Sequence, residues 1–227
     1  MVRSPTALTT DIIITVVLEV FAAGSETSAT MLEWAMSELV KESRLLRKAH
    51  AEVREAFKGQ HELTEGDMGK LATSIGRVIK ETLRLHTPVS FLLPRQCREA
   101  CEVMGYDVPE GTRVLVNAWA MTWDGAYWED AEAFRPERFE EGSAVADFRG
   151  GDFEFIPFGA SRRMCPGIAL GQANMELVLA GLLYHFNWEL PDGGRPEELD
   201  MSEAFGLAIR RNSRLVLRAM QHISVTN

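Results

Sequence analysis

At 227 residues, 46% hydrophobic and 25% charged, the chain has the make-up of a globular protein, long enough to bury a sizeable core as one large domain or two small ones. A formal charge of −9, from 24 Lys and Arg against 33 Asp and Glu, argues against a nucleic-acid partner, which needs clustered cations. The three cysteines (Cys97, Cys101, Cys165) form no CxxC pair, which argues against a disulfide framework or a structural zinc site and fits a reducing compartment.

Pro5 to about Val40 is expected to be one long helix, capped by Thr10 or Asp11. Ile12, Ile13, Val16, Val17, Val20 and Phe21 recur at helical spacing and other faces are apolar too, the pattern of a helix that lies in a core. The apolar run from Ile12 to Ala23 contains Glu19 and is shorter than the roughly 20 residues a bilayer-spanning helix needs, so a buried helix and not an anchor is expected. Arg3 is the one positive charge ahead of it and no small-residue cleavage site ends it, so no signal peptide is expected. Inside the helix lies Ala23-Gly24-Ser25-Glu26-Thr27-Ser28. Glycine in a helix interior costs about 1 kcal/mol relative to alanine, so Gly24 asks for a reason. One is close approach of a ligand to the backbone; the other is a kink, with Thr27 and Ser28 bonding back to carbonyls.

Glu42 to Lys58 reads as an amphipathic helix with Leu45, Leu46, Ala49, Val53, Ala56 and Phe57 on its apolar stripe, Gly59 at its end and His50 solvated. Gln60 to Asp67 reads as a polar loop. Lys70 to His86 is expected as a third helix, stopped by Thr87-Pro88. Glu81 and Arg84 share a face at i, i+3 and can pair; an exposed pair of this kind is worth about 0–1 kcal/mol. Ser90 to Arg95 carries a short strand signal, and Ala100–Val103, Gly105–Val108 and Thr112–Val116 read as a small sheet turning at Pro109-Glu110-Gly111. Asp124 to Phe148 is irregular and aromatic.

The run Phe155 to Gly167 carries one cysteine behind Arg162 and Arg163, followed by Pro166-Gly167 and a helical pattern from about Ile168 to His185. Proline is favoured at the first helical position, which puts Cys165 at the cap. The helix N-terminus and the arginines both favour a thiolate there. A thiolate is either a nucleophile or a metal ligand. The nearest histidine in sequence, His185, lies about five turns along the helix, too far to serve as its base, so the ligand reading is preferred. Asn187 to Arg218 holds strand-like pieces around Pro191-Asp192-Gly193-Gly194, with Ala204-Phe205-Gly206-Leu207 as a loop able to reach a substrate. There are no internal repeats and no low-complexity segment.

The Cys165 stretch resembles the haem-thiolate signature FxxGxRxCxG of the cytochrome P450 family at Phe158, Arg163, Cys165 and Gly167, with Ser161 where the family usually has Gly. Ala23 to Ser28 resembles the family's oxygen-binding stretch [AG]Gx[DE]T[TS] at every position. Val78 to Leu85 looks like its ExxR helix through Glu81 and Arg84, and Phe134 to Phe139 like its PERF segment, with Arg138 at the matching position. Arg95 in Leu93-Pro94-Arg95 is similar to the family's haem-propionate arginine; as an alternative it is an exposed strand residue. The resemblance covers essentially the whole chain, with plant microsomal flavour around Cys165 and departures at Thr87 and Ser90, where related members commonly carry Pro. It reaches only the C-terminal half of the family, without the membrane anchor, Pro-rich hinge and early helices.

The resemblance implies a mainly α fold with small β-sheets, the haem-proximal half of a cytochrome P450. It implies haem b with Cys165 as the iron's axial thiolate and Arg163, Phe158, Gly167, Arg95 and Gly24 around the cofactor. It assigns Glu26 and Thr27 to proton delivery towards dioxygen, and makes Glu81, Arg84 and Arg138 a buried network holding the Cys165 loop. Ala22, Ala23, Phe91, Leu92 and Phe205 would line the substrate side. The implied activity is monooxygenation of a small hydrophobic metabolite, with NADPH electrons delivered by cytochrome P450 reductase at the cytosolic face of the endoplasmic reticulum membrane. Two other readings compete: a non-catalytic remnant that binds haem weakly or not at all, and a reductase-independent peroxide isomerase, against which the Glu26-Thr27 pair argues.

Overall fold

The structure, a computed structural model, describes residues 8–70, 74–140, 148, 151–206 and 208–222. Among these described residues α1 (Thr10–Lys41), α2 (Ser43–Ala56), α3 (Ser74–Leu85), α4 (Ala118–Thr122) and α5 (Ile168–His185) are the helices that dominate. Eight short strands form antiparallel pairs: β1 (Arg95–Gln96) with β4 (Arg113–Val114), β2 (Cys101–Val103) with β3 (Tyr106–Val108), β5 (Phe186–Glu189) with β8 (Arg218–Gln221), and β6 (Glu203–Ala204) with β7 (Arg210–Arg211). The chain is therefore mainly α with small β-sheets, as its sequence pattern implies.

Thr9, not Thr10 or Asp11, caps α1: its backbone is extended and its hydroxyl accepts from the Ile12 N–H at 3.3 Å. The expected start at Pro5 lies outside the described residues. α1 is buried over Thr30–Val40 but exposed from its start to Glu26, with Phe21 73% accessible. The sequence pattern is that of a core helix, and the side chains of this chain cover only its C-terminal part. By length and composition alone α1 is long and apolar enough to cross a membrane, although its C-terminal part, with Trp34 and Leu39 fully enclosed, is the centre of the core.

The core gathers around that part. Leu45, Ala49 and Val53 from α2, Ile75, Val78, Ile79 and Leu83 from α3, and Met175, Leu179, Ala180, Leu183 and Tyr184 from α5 pack with Met31, Trp34, Ala35 and Leu39. Each such large apolar side chain contributes roughly 1.5–3 kcal/mol by leaving water. The Tyr184 hydroxyl reaches the carbonyls of Phe57 and Gln60 at 2.7 Å each, so its polar tip is satisfied inside this core. His50 is not solvated as its sequence position suggests. It is half-buried, and desolvation, then the nearby Arg54 and His222 charges, lower its pKa to about 4.

The expected small sheet splits in two. β2 and β3 form a hairpin turned at Met104-Gly105, where φ of 52° and 84° at consecutive residues is the left-handed pair of a tight hairpin turn. β1 pairs with β4, and the Pro109–Gly111 turn returns the chain to it. Among the short elements that escape the sequence pattern are α4, capped by the Asn117 side chain on the Ala120 N–H at 3.0 Å, and a 3-10 turn over Glu65–Lys70 that begins inside the expected polar loop and runs past its end at Asp67. Lys70, the expected start of the third helix, lies in that turn, and the helix is described over Ser74–Leu85.

Candidate functional site

Cys165 stands at the end of a tight turn closed by its own N–H on the Phe158 carbonyl at 2.9 Å. Within that turn the Gly159 N–H bonds Ile156 O at 2.9 Å and the Met164 N–H bonds Ser161 O at 3.1 Å. The helix starts later than the sequence suggests: Gly167 is the cap of α5, and Cys165 and Pro166 lie ahead of it. Cys165 and Arg163 are exposed, Phe158 and Gly167 half-buried. A methyl group on Gly167 would meet the Cys165 sulfur at 3.8 Å, an ordinary contact.

Gly159 and Ser161 both have positive φ, 73° and 62°. The left-handed region costs an L-residue roughly 1–2 kcal/mol, whereas glycine enters it freely at a smaller entropic cost. Ser161→Gly should therefore raise the chain's stability by about 0.5–1 kcal/mol in urea unfolding. An unchanged or lower midpoint would show that the Ser161 hydroxyl stabilises the turn.

The turn rests on an aromatic cluster. Phe158 meets Phe148 at 5.2 Å between ring centroids, and Phe148 and Phe139 meet Phe155 at 6.0 and 5.4 Å. Phe155 is fully buried and stands edge-on to Trp128 at 5.8 Å. Sequence reasoning found this segment aromatic but not the cluster, because its members share no helical or strand period.

Trp128 connects the cluster to the charge network. The Arg84 and Arg138 guanidiniums lie 5.3 and 6.0 Å from its ring. Arg84 binds Glu81 with two parallel hydrogen bonds of 2.9 Å, both side chains wholly enclosed. Arg138 adds a third at 3.0 Å, and the Arg135 N–H a fourth at 2.8 Å. The remaining guanidinium N–H groups satisfy backbone carbonyls of the irregular segment: Thr122, Ala131 and Ala133 from Arg84, Glu129, Asp130 and Ala133 from Arg138. The structure thus brings Glu81, Arg84 and Arg138 together, and links them to the Cys165 turn through aromatic packing.

The α1 residues stand apart from that network. Ala22, Ala23, Gly24 and Glu26 are exposed, and no atom beyond the helix backbone lies within 4 Å of a methyl group placed on Gly24. The Thr27 hydroxyl donates to the Ala23 carbonyl at 2.7 Å, the back-bonded geometry expected of a helical threonine. Its oxygen keeps acceptor capacity. Arg95 is half-buried and opposite Val114 in the β1–β4 ladder. Leu92, with φ of 48°, packs on the small cluster of Ala118, Ile156 and Ala160, the last two from the segment that forms the Cys165 turn. Phe91 is 49% exposed and Phe205 82%; Leu207, grouped with Phe205 in sequence, lies outside the described residues.

A second buried polar cluster carried no sequence signal. The His86 ring stacks on Trp34 at 3.8 Å, and its Nε2 meets Glu38 Oε1 at 2.8 Å. Arg211 lies 5.6 Å from the Trp34 ring, and the Trp34 N–H donates to Ile209 O at 3.0 Å. The cluster fastens α1, the end of α3 and the β6–β7 hairpin, and contains neither Cys165 nor Thr27.

No group of three or more His, Cys, Asp or Glu side chains able to hold a metal occurs among the described residues. The exposed Cys165 thiol at the end of a fixed turn offers a single soft donor, the kind of ligand a haem–thiolate pair uses.

A family model described as Cytochrome P450 matches residues 2–216. Zealexin A1 synthase of Zea mays is 52% identical over 224 residues, 98% of this chain and 44% of that protein. Dolabradiene monooxygenase of Zea mays is 51% identical with the same coverage. Premnaspirodiene oxygenase of Hyoscyamus muticus is 50% identical over 212 residues, 93% of this chain and 42% of that protein. The chain spans less than half the length of these curated relatives.

Proposed function

Since this chain belongs to the cytochrome P450 family, we propose that it is the haem-proximal part of a monooxygenase that oxidises a small hydrophobic metabolite with dioxygen. NADPH-derived electrons would reach it through a reductase docking on the Cys165 side. The observation that carries this reading is the exposed Cys165 thiol on a hydrogen-bonded turn backed by buried aromatic packing and the Glu81–Arg84–Arg138 network. When bound, the haem iron supplies the dioxygen chemistry, and donation from a thiolate ligand favours O–O cleavage. Cys165 would hold the iron, Phe158 and Gly167 would shape the turn beneath it, and Arg163 and Arg95 would balance the propionates. Gly24 would keep the α1 backbone open to a close approach. Ala22, Ala23, Phe91, Leu92 and Phe205 would offer an apolar surface to the substrate. Two relatives described above are named for oxygenating dienes, which agrees with an apolar substrate. The endoplasmic reticulum membrane is the proposed location, with the buried part of α1 belonging to the catalytic domain.

Thr27 and Glu26 would handle the proton. The Thr27 hydroxyl donates to Ala23 O, which leaves its oxygen lone pairs available to hold a water, and the exposed Glu26 carboxylate can accept from water beside it. In the haem-loaded protein with reductase, Thr27→Ala should consume reductant while releasing more peroxide and less oxidised product. Unchanged coupling removes Thr27 from proton delivery. The assignment as a whole is tested by the carbon monoxide difference spectrum of the reduced, haem-supplied protein. A thiolate-type band supports it, and its absence in protein that retains haem overturns it. The exposed apolar surface of α1, from Ile12 to Phe21, favours a second reading for the chain by itself, in which haem binds weakly and turnover is lost.

A further inference from the structure

Cys97 and Cys101 flank the bend that leads from β1 into the β2–β3 hairpin. Their spacing is not a CxxC, and nothing in the sequence pattern pairs them, yet their Sγ atoms stand 3.6 Å apart. The Cys97 sulfur also donates to the Glu99 carbonyl at 2.9 Å, so the bend folds its own backbone around the two thiols. Both arms are held: the Cys97 N–H and O bond Thr112 O and the Gly111 N–H at 2.9 Å each, and Cys101 is in register with Val108. Cys101 is exposed and Cys97 half-buried.

We propose that Cys97 and Cys101 form a redox-active dithiol that a low-molecular-weight disulfide, such as oxidised glutathione, closes to an intramolecular disulfide. A disulfide needs its sulfurs about 2.05 Å apart, so closure takes roughly 1.5 Å of movement in an exposed bend. Cys101, the open thiol, attacks as its thiolate on one glutathione sulfur, forming a mixed disulfide and expelling glutathione. The Cys97 thiolate then attacks the Cys101 sulfur, forming the Cys97–Cys101 bond and expelling the second glutathione. Two protein thiols are oxidised, one glutathione disulfide is reduced to two thiols, and the two cysteine protons pass to the leaving thiolates. The hydrogen bond between the two thiols, the largest cause, raises the Cys101 pKa, so the first step speeds up as the solution becomes more alkaline. In a reducing compartment such a pair rests as the dithiol and closes under oxidative load. Closure pins the bend next to Arg95.

The sequence supplies a direct assay. Trypsin cuts after Arg95, Arg98 and Arg113, which leaves Cys97 on residues 96–98 and Cys101 on residues 99–113. The whole chain, its helical fold checked by circular dichroism, is equilibrated in glutathione buffers, acid-quenched, digested and weighed. The expected result is a linked 96–98/99–113 peptide pair, formed in native buffer with an equilibrium constant at least tenfold that in urea, about 30 mV. Cys97→Ser should stop at a mixed disulfide on Cys101. The proposal is overturned if no linked pair forms in excess oxidised glutathione, if Cys165 takes either partner's place, or if the native and urea constants agree while the fold is present.

Discussion

Glu81→Ala should lose about 3–5 kcal/mol of stability, a large share of the 5–15 kcal/mol of a typical domain. The Glu81 carboxylate is wholly enclosed and accepts two bonds from Arg84, one from Arg138 and one from the Arg135 N–H. Truncating it leaves two guanidiniums near each other with no counter-charge, and releases the anchor of a segment whose carbonyls those guanidiniums also bind. Glu81→Gln keeps the shape and part of the hydrogen bonding but removes the charge, so it should fall between wild type and Glu81→Ala. Urea unfolding followed by circular dichroism measures both. A loss under about 1 kcal/mol, the worth of an exposed pair, would mean that the network does not carry the fold.

Cys165→Ala should abolish the thiolate-type carbon monoxide spectrum completely while barely touching the fold. Cys165 is exposed and contributes nothing to the core, and exposed substitutions usually stay within about 0.5 kcal/mol. Loss of the spectrum then reports ligation and not unfolding. Replacing Cys97 and Cys101 together by Ser should leave the spectrum intact, since both sit on the hairpin bend. A Cys165→Ala protein that keeps the thiolate-type band would remove Cys165 from the site.

What was legible in the sequence was what local pattern encodes. The i, i+3 spacing of Glu81 and Arg84 fixes their shared face, and the Cys165 turn announces itself by its Arg, Pro and Gly neighbours. Burial of the ion pair is implied by the family resemblance alone and not by local pattern, because it depends on Trp128 and on carbonyls some forty to fifty residues away. Local pattern likewise misses Phe148 and Phe155, which meet across a stretch with no period. The proline rule puts Cys165 at the helix cap, two residues ahead of the Gly167 cap, because a preference for proline at the first helical position does not fix where the first turn begins. α4 is too short for periodicity to register. Thr9 was passed over as a cap because the apolar count begins three residues later, at Ile12, whose N–H it accepts.

The division of α1 has a consequence for how its backbone breathes. From Thr10 to Glu26 every side chain is exposed, so the helix there is sustained by its own ladder and the Thr9 cap. The run Ile12-Ile13-Ile14-Thr15-Val16-Val17 is β-branched throughout, and Gly24 follows, all weak helix formers. From Thr30 onward the same ladder is locked into the core. Amide exchange along this one helix should therefore slow from peptide-like opening near Ile12 to the rate set by global unfolding near Leu39. A surface that comes to cover the outer part would do more than shield apolar atoms. It would extend the cooperative unit by about five turns, and the gradient would flatten.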